Sequence, residues 1–131
     1  MNPNKDKLYQ QLQSLLELHP NVGWIAIIDS TGNLLTSINL TQDHQDDLWQ
    51  RIHNVASEMQ NTAFELEQDS MTYIRISGKE QHQILIFPIL CLAGLLIIRL
   101  HQPVNTALLH LDVSRTLDKI CDIQKRSLRR T

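Results

Sequence analysis

The segment Asp29-Ser30-Thr31-Gly32 has the residue types of the loop that carries the reactive carboxylate in aspartic proteases. Such an enzyme needs a second aspartate loop, because two carboxylates must share one proton. The chain has no second segment of this kind. The same residues are also typical of a tight turn, in which Gly32 supplies a positive φ. We therefore predict a hairpin turn here and not a catalytic carboxylate.

Histidines could bind a metal or transfer protons, but their spacing in this chain favours neither task. There is no HExxH or CxxC pattern, the spacings that bring ligands together on one ion. His110 with Asp112, or His53 near Glu58, could exchange a proton, yet neither pair is accompanied by a nucleophile at a defined turn. We therefore expect no metal, no cofactor and no catalytic residue, and a protein that is not an enzyme. The six histidines are His19, His44, His53, His82, His101 and His110.

Nucleotide and nucleic-acid binding have little support in the residues. The chain lacks the GxxxxGK[ST] pattern, so we expect no nucleotide held by such a loop. A net charge of −2 is not that of a nucleic-acid-binding protein, which normally presents a broad basic face. The basic end of the chain fits a solvated helix terminus, where cations complement the helix dipole. Its basic residues are Lys125, Arg126, Arg129 and Arg130.

The two cysteines, Cys91 and Cys121, are too few for a disulfide framework. We expect both to be free thiols in the core of a protein from a reducing compartment. The first residues, MNPNKDKLYQQLQ, lack the apolar centre of a signal peptide. The sequence therefore predicts a cytoplasmic location.

The longest apolar stretch, residues 83–100, decides the fold class. Nearly every residue in it is apolar, a pattern typical of strands that are covered on both faces. Pro88 lacks an amide donor and Gly94 weakens a strand interior, so a turn is expected around residues 89–93. The alternatives are one buried helix or a membrane span, although a span needs about 20 predominantly apolar residues. We predict two central strands and no membrane insertion.

Apolar spacing and turn residues predict the remaining elements. We expect one α+β domain over residues 1–126, with the order α-β-β-α-β-β-β-α and a five-stranded antiparallel sheet between helices, followed by a basic tail over residues 127–131. The predicted helices cover residues 5–18, the region that follows residues 41–47, and the region after Pro103. The other predicted strands cover residues 22–28, 34–38 and 71–77. The apolar stripe of the last helix is Val104, Leu108, Leu111, Leu117, Ile120 and Ile123.

The second helix carries two apolar rows. We interpret the row Leu48, Ile52, Val55, Met59 and Leu66 as its core stripe. In the other row, Trp49, Ala56 and Ala63 recur every seven residues with His53 and Gln60 between them. Small side chains let a partner helix approach closely, which favours a dimer seam. Alternatively, this row simply widens the buried stripe of the same helix.

Four short segments form a profile of hydrophobicity and turns. They are His19-Pro20-Asn21-Val22, Ala26-Ile27-Ile28-Asp29 with Gly32, Leu85-Ile86-Phe87-Pro88, and Gly94-Leu95-Leu96. Together with the element order, they resemble the roadblock family, the dynein light chain roadblock-type domain. The resemblance implies a helix–sheet–helix sandwich that dimerises and acts as a regulator or scaffold for small Ras-like GTPases.

The seam and the resemblance together predict a two-fold homodimer, or a heterodimer with a related chain. The third strand lies at the sheet edge in the resembled fold, where unpaired backbone groups invite pairing with another chain. One continuous sheet across the dimer follows. The predicted dimer interface is Trp49, His53, Ala56, Gln60, Ala63, Thr72 and Tyr73.

A GTPase is expected to bind near Gln50 and Arg51 of the second helix, with Tyr73 and Arg75 as further contacts, because exposed aromatic and arginine residues are typical anchors. An arginine that assists GTP hydrolysis in the partner could be Arg51, Arg75 or Arg99, which the spacing does not distinguish. The alternative function is a profilin-like or longin-like small-ligand sensor or interaction domain unrelated to GTPases. A helix ahead of the first strand distinguishes the two predictions.

Overall fold

Eight elements follow one another in the predicted order, α-β-β-α-β-β-β-α. The computed structural model describes residues 3–40, 46–67, 73–78, 82–101 and 106–129, so predictions that concern residues 41–45, 71–72, 79–80, 103–104 and 130–131 lie outside the described residues. The helices are α1 (Pro3–Leu18), α2 (Asp46–Glu67) and α3 (Thr106–Arg129). The strands are β1 (Val22–Ile28), β2 (Leu34–Ile38), β3 (Ile74–Ser77), β4 (Gln83–Ile89) and β5 (Gly94–Leu100).

The strands form one antiparallel sheet in the order β2-β1-β5-β4-β3. β4 and β5 pair along their whole length, which confirms the predicted central strands. Leu85 and Ile86 point to opposite faces of β4 and are both buried, as an unbroken apolar run indicates. β3 ends the sheet, so the predicted edge position is confirmed as well.

Helices cover both faces of the sheet, two on one side and one on the other. On the two-helix face, Leu12 of α1 and Val113 of α3 belong to one large apolar cluster with the sheet. On the opposite face, which we call the α2 face, Trp49 and Ala56 pack with sheet residues such as Ile97. The sheet is therefore the middle layer of a sandwich with unequal outer layers.

The apolar stripe predicted for α3 is wrong in part. Leu108 and Leu111 were expected in the core and are about half exposed, at 49% and 48%. Adjacent positions on a helix lie 100° apart, and α3 has leucines on neighbouring rows, so periodicity alone does not select the row that faces the sheet and α1. The buried row of α3 is Leu109, Val113, Thr116 and Ile120.

The expectation of two free core thiols is also wrong. Cys91 and Cys121 form a disulfide, with Cα atoms 5.7 Å apart, a usual separation for such a bond. Cys91 is exposed in the turn between β4 and β5, and Cys121 is half-buried on α3. The hairpin folds this turn back over α3, a long-range proximity that residue spacing does not reveal.

The turn between β1 and β2 is a hairpin turn, as predicted. One oxygen of the Asp29 carboxylate accepts hydrogen bonds from the Thr31 amide at 2.9 Å, the Thr31 hydroxyl at 2.7 Å and the Asn33 amide at 3.0 Å. Gly32 has φ +84°, a conformation that L side chains rarely adopt. The carboxylate therefore shapes the turn by satisfying its amides.

Replacing Gly94 with alanine should destabilise the fold strongly, because a Cβ at this position overlaps the carbonyl oxygen of Ile28 in the neighbouring strand. Moving the backbones of two paired strands apart would break their hydrogen bonds. We therefore expect the free energy of unfolding, measured with urea, to fall by about 2–3 kcal/mol. Gly78→Ala is the matched control, since its Cβ would lie 3.5 Å from the nearest atom, an ordinary contact. Equal stability of the two variants would contradict the close approach of β1 and β5.

Asp29 should make stability depend on acidic pH. Partial burial raises the pKa of its carboxyl. The hydrogen bonds from Thr31, Asn33 and Gly32 together lower this pKa by more than burial raises it, so the pKa lies below its ordinary value of 3.8. A carboxyl with a depressed folded pKa stabilises the fold above its unfolded pKa, and this contribution disappears as the pH falls through the folded pKa. We expect Asp29→Asn to melt below the wild type at pH 7. The difference in melting temperature between the two proteins should narrow below about pH 4. A difference that is constant down to about pH 2.5 would show that the charge of Asp29 does not stabilise the fold.

Candidate partner-binding surfaces

The structure differs in part from the roles that the sequence assigns to the two apolar rows of α2, although Ile52 of the predicted core stripe does pack against the core. Trp49 and Ala56, predicted at a dimer seam, are each only 1% exposed and pack in the core of the α2 face. Val55 and Met59, predicted in the core, are 51% and 46% exposed. The small Ala56 lets the helix lie close to the sheet, while the ring of Trp49 meets Trp24 edge-to-face at 5.9 Å. For Trp49 and Ala56, the structure therefore agrees with the alternative interpretation, in which their row widens the buried stripe of the helix.

A groove lies between the second half of α2 and the edge strand β3, with a volume of about 550 Å³. Met59 and Leu66 of α2 form one wall, and Ile74 at the start of β3 belongs to the other. Leu66 is 78% exposed, and Ile76 further along β3 is also exposed. The groove is thus an open apolar surface at the side of the sheet where β3 has only one strand neighbour. Its lining residues are Glu58, Met59, Thr62, Ala63, Leu66, Tyr73, Ile74 and Arg75.

The residues predicted at the dimer interface are divided between this groove and other places. Ala63 and Tyr73 line the groove. His53 and Gln60 line a separate cavity of about 240 Å³ on the other flank of α2, against the turn that follows β4. Thr72 lies outside the described residues. Sequence reasoning missed Met59, Leu66 and Ile76, although the helical spacing of Val55, Met59 and Leu66 was the signal that marked them as one apolar row.

The aromatic ring of Tyr73 is partly held by the two-helix face. It stacks on Phe87 with ring centroids 5.6 Å apart and meets His110 edge-to-face at 4.5 Å. Tyr73 is therefore a structural contact between the start of β3 and α3 as well as a groove residue. Tyr73 is 37% exposed, so part of the residue is still accessible to a partner.

The residues predicted to bind a GTPase do not form one patch. Gln50 lies beside the β1–β2 turn, with its Cα 3.1 Å from where a Cβ on Gly32 would be. Arg51 is exposed on α2. Arg75 and Tyr73 line the groove between α2 and β3. Arg51 precedes the groove residues Glu58 and Thr62 by seven and eleven positions, spacings that put all three on one face of the helix.

The three candidate arginines differ in how far they can reach. Arg51 and Arg75 are exposed. Arg99 is half-buried on the sheet, with an Nη2 atom 3.1 Å from His82 Nδ1, and its buried Nε has no hydrogen-bond partner among the residues that the structure describes. Arg51 and Arg75 are therefore the candidates that a partner protein can meet.

Asp112 belongs to a buried pair with His19 and not with His110. His19 Nε2 lies 2.7 Å from Asp112 Oδ2, and both residues are buried at the contact between the end of α1 and α3. Arg115 approaches the other carboxylate oxygen at 3.8 Å. The pair links two helices of one layer, which is a structural task.

The described residues contain neither a cluster of metal ligands nor a helix suited to crossing a membrane. Within these residues, no group of three or more histidine, cysteine, aspartate or glutamate side chains is arranged to hold a metal ion. Among the described helices, none combines the length and the apolar character that crossing a bilayer requires.

Known structures share this fold. Myxococcus xanthus MglB is 14% identical, with 96% of this chain and 93% of that chain covered and a TM-score of 0.82. A Roadblock/LC7 domain from Streptomyces avermitilis is 10% identical, with coverage of 93% and 97% and a TM-score of 0.76. LokiProfilin2, solved with rabbit actin, is 19% identical, with coverage of 93% and 98% and a lower TM-score of 0.59. At these identities the likeness establishes the fold alone.

Sequence-level comparison assigns the family. No curated protein matches the chain. The family model described as the Roadblock/LC7 domain matches residues 8–88, more than half of the chain. This segment runs from the buried face of α1 to the end of β4, so it includes the sheet edge and all of α2. The protein therefore belongs to the Roadblock/LC7 domain family.

Proposed function

We propose that the protein is a two-fold dimer, joined through the groove between α2 and β3, that regulates or scaffolds a small Ras-like GTPase in the cytoplasm and has no catalytic site of its own. The open apolar groove beside an edge strand is the observation that supports the proposed dimer. The proposed binding of a GTPase is supported by the family resemblance. The predicted seam moves accordingly, from the Trp49 row to the Met59 row of α2.

The chemistry of the groove supports pairing with a second copy. Met59 and Ile76 are each about half exposed, so complete burial of either would contribute about 1 kcal/mol. Among the described strands, β3 pairs with β4 alone, and an antiparallel copy of β3 from a second protomer would extend the sheet on its other side. Both elements lie on one side of the protomer, where a single two-fold axis can bury them together.

Charge also favours self-association over association with an unrelated strand. The groove has an acidic residue, Glu58, on its helix wall and a basic one, Arg75, on its strand wall. Around a two-fold axis, any contact between residue i and residue j occurs twice. Glu58 of each copy can therefore face Arg75 of the other, so that the patch is complementary to itself.

The regulatory proposal uses the surface of α2 that remains outside the groove. Arg51 is exposed there, and Gln50 lies beside the rigid β1–β2 turn. In a dimer joined along β3, the two α2 helices come near each other, and a partner can contact both. A regulator of this kind acts by binding and positioning the catalytic groups of the GTPase.

Met59→Arg should convert the dimer into a folded monomer. The side chain is half exposed in the protomer, so an arginine there can stay solvated in the monomer but places a charge in the proposed contact. Desolvation of an unpaired charge costs several kcal/mol. Light scattering at about ten times the wild-type dimer Kd measures the mass, and circular dichroism checks the fold.

Asn61→Arg is the matched control, because Asn61 is exposed on the same helix and does not line the groove. It should remain a dimer. A wild-type protein that is monomeric at tens of micromolar, or a Met59→Arg variant that stays dimeric, would remove the groove from the interface.

Arg51→Glu should weaken capture of a small Ras-like GTPase by more than tenfold, about 1.4 kcal/mol, while circular dichroism shows that the variant is still folded. The reason is that an exposed arginine on α2 would lose its favourable contact and present a repulsive charge to the same surface. The measurement is affinity for the GTPase recovered from the source cell on immobilised wild-type protein, loaded with GTP or with GDP.

Arg126→Glu makes the same charge change on α3, the opposite layer of the sandwich, where Arg126 is exposed. It should bind as the wild type does. If no Ras-like GTPase is retained in either nucleotide state, the regulatory proposal fails even when the dimer is confirmed. If both variants bind equally to the wild type, the GTPase uses another face.

A further inference from the structure

The turn between β4 and β5 is contacted from both layers of the sandwich. This turn, residues 90–93, is called the hairpin tip below. On one side, Cys91 is bonded to Cys121 of α3. On the other side, Leu90 and Ala93 line the 240 Å³ cavity whose second wall is α2. The polar residues of that wall are His53, Ser57 and Gln60.

Apart from the disulfide, the hairpin tip is weakly held. Leu90 is 86% exposed, and Ala93 is an exposed non-glycine residue with φ +52°. Two backbone hydrogen bonds close the turn, from the Leu92 amide to Ile89 at 3.2 Å and from the Ala93 amide to Leu90 at 3.4 Å. Leu92 packs only partly against the core of the two-helix face. The covalent bond to α3 is thus the strongest restraint on the tip.

Rearrangement of the tip is confined to a few residues. Gly94 lies directly against the Ile28 carbonyl of β1, and β5 is paired with β1 and β4 from this point on. A change at Cys91 can therefore move the tip and the adjacent cavity wall without opening the sheet. This separation between a movable tip and a fixed sheet is what a local switch requires.

We propose that the Cys91–Cys121 disulfide is a redox-responsive tether that sets the position of the hairpin tip and, with it, the wall of the cavity against α2. The proposal does not depend on the identity of any protein partner. Disulfides in a reducing compartment are usually transient or redox-sensing, so the bond and the predicted cytoplasmic location are compatible. Exposure of Cys91 gives a reductant access to the bond in the folded protein.

The reaction is an ordinary exchange with a dithiol reductant. A thiolate of the reductant attacks the Cys91 sulfur, the bond to Cys121 breaks, and Cys121 leaves as a thiolate. The second thiolate of the reductant then attacks the mixed disulfide and releases Cys91. Two electrons and two protons pass to the protein, which ends with two thiols, while the reductant ends as a disulfide.

The first test counts thiols in the native wild-type protein. After equilibration with oxidised glutathione, alkylation without denaturant should label neither cysteine, as judged by mass spectrometry. After treatment with dithiothreitol, again without denaturant, both cysteines should be labelled. A protein that takes up two labels in the oxidised sample, or that releases its thiols only after unfolding, overturns the proposal.

The second test asks whether the bond restrains the tip. The disulfide closes a loop with a sequence separation of 30, so its reduction should lower the melting temperature by about 10 °C. Hydrogen exchange should rise at residues 90–93 and in α3 around Cys121, but not in β1. Unchanged exchange at the hairpin tip on reduction would leave a bond without a switching role and would overturn the proposal.

The double variant Cys91→Ser with Cys121→Ser is the matched control. It should show the exchange pattern of the reduced wild type and no response to dithiothreitol. A response of the variant to dithiothreitol would mean that the reductant acts elsewhere and would overturn the proposal. Both wild-type tests remain decisive even if the variant does not fold.

Discussion

A single helix cannot cover one face of a five-stranded sheet, and the rest of this molecule follows from that mismatch. Five strands about 4.8 Å apart span about 19 Å, whereas a helix with its side chains is about 10 Å wide. Two helices, α1 and α3, pack on one face and share a large apolar cluster with the sheet. On the opposite face α2 packs over the inner strands through Trp49 and Ala56. The side towards β3 is left as an open apolar groove.

The same mismatch explains why α2 needs two apolar rows. The row that faces the sheet needs a small side chain in its middle so that the helix can approach closely, and Ala56 is that side chain. The second row then points sideways over the strands that the helix does not reach, where Val55 and Met59 are half exposed. A monomer gains little from that second row. In the proposed dimer, a second copy with its own groove and edge strand would bury this row.

The opposite flank of α2 is organised by turns. The carboxylate of Asp29 organises the β1–β2 turn beside Gln50, and the hairpin tip faces His53 across a cavity. One of these turns is held by hydrogen bonds and the other by a disulfide to α3. α2 thus has an apolar flank suited to self-association and a polar flank whose neighbouring turns differ in how firmly they are held. This asymmetry is compatible with the proposed function, in which α2 forms the dimer contact and also presents a surface to a partner.

The sequence by itself determined the elements, their order and the central position of the apolar run, because the spacing of apolar residues and the turn residues of segments such as Asp29–Asn33 are local properties. Only the tertiary structure decided which row of α2 faces the sheet, which leucines of α3 are buried, and that Cys91 meets Cys121. Periodicity defines the angle between two rows on a helix but not the direction of the sheet, which depends on packing over long distances. For this reason Met59 and Leu66, which line the groove between α2 and β3, were assigned to the core stripe from the sequence.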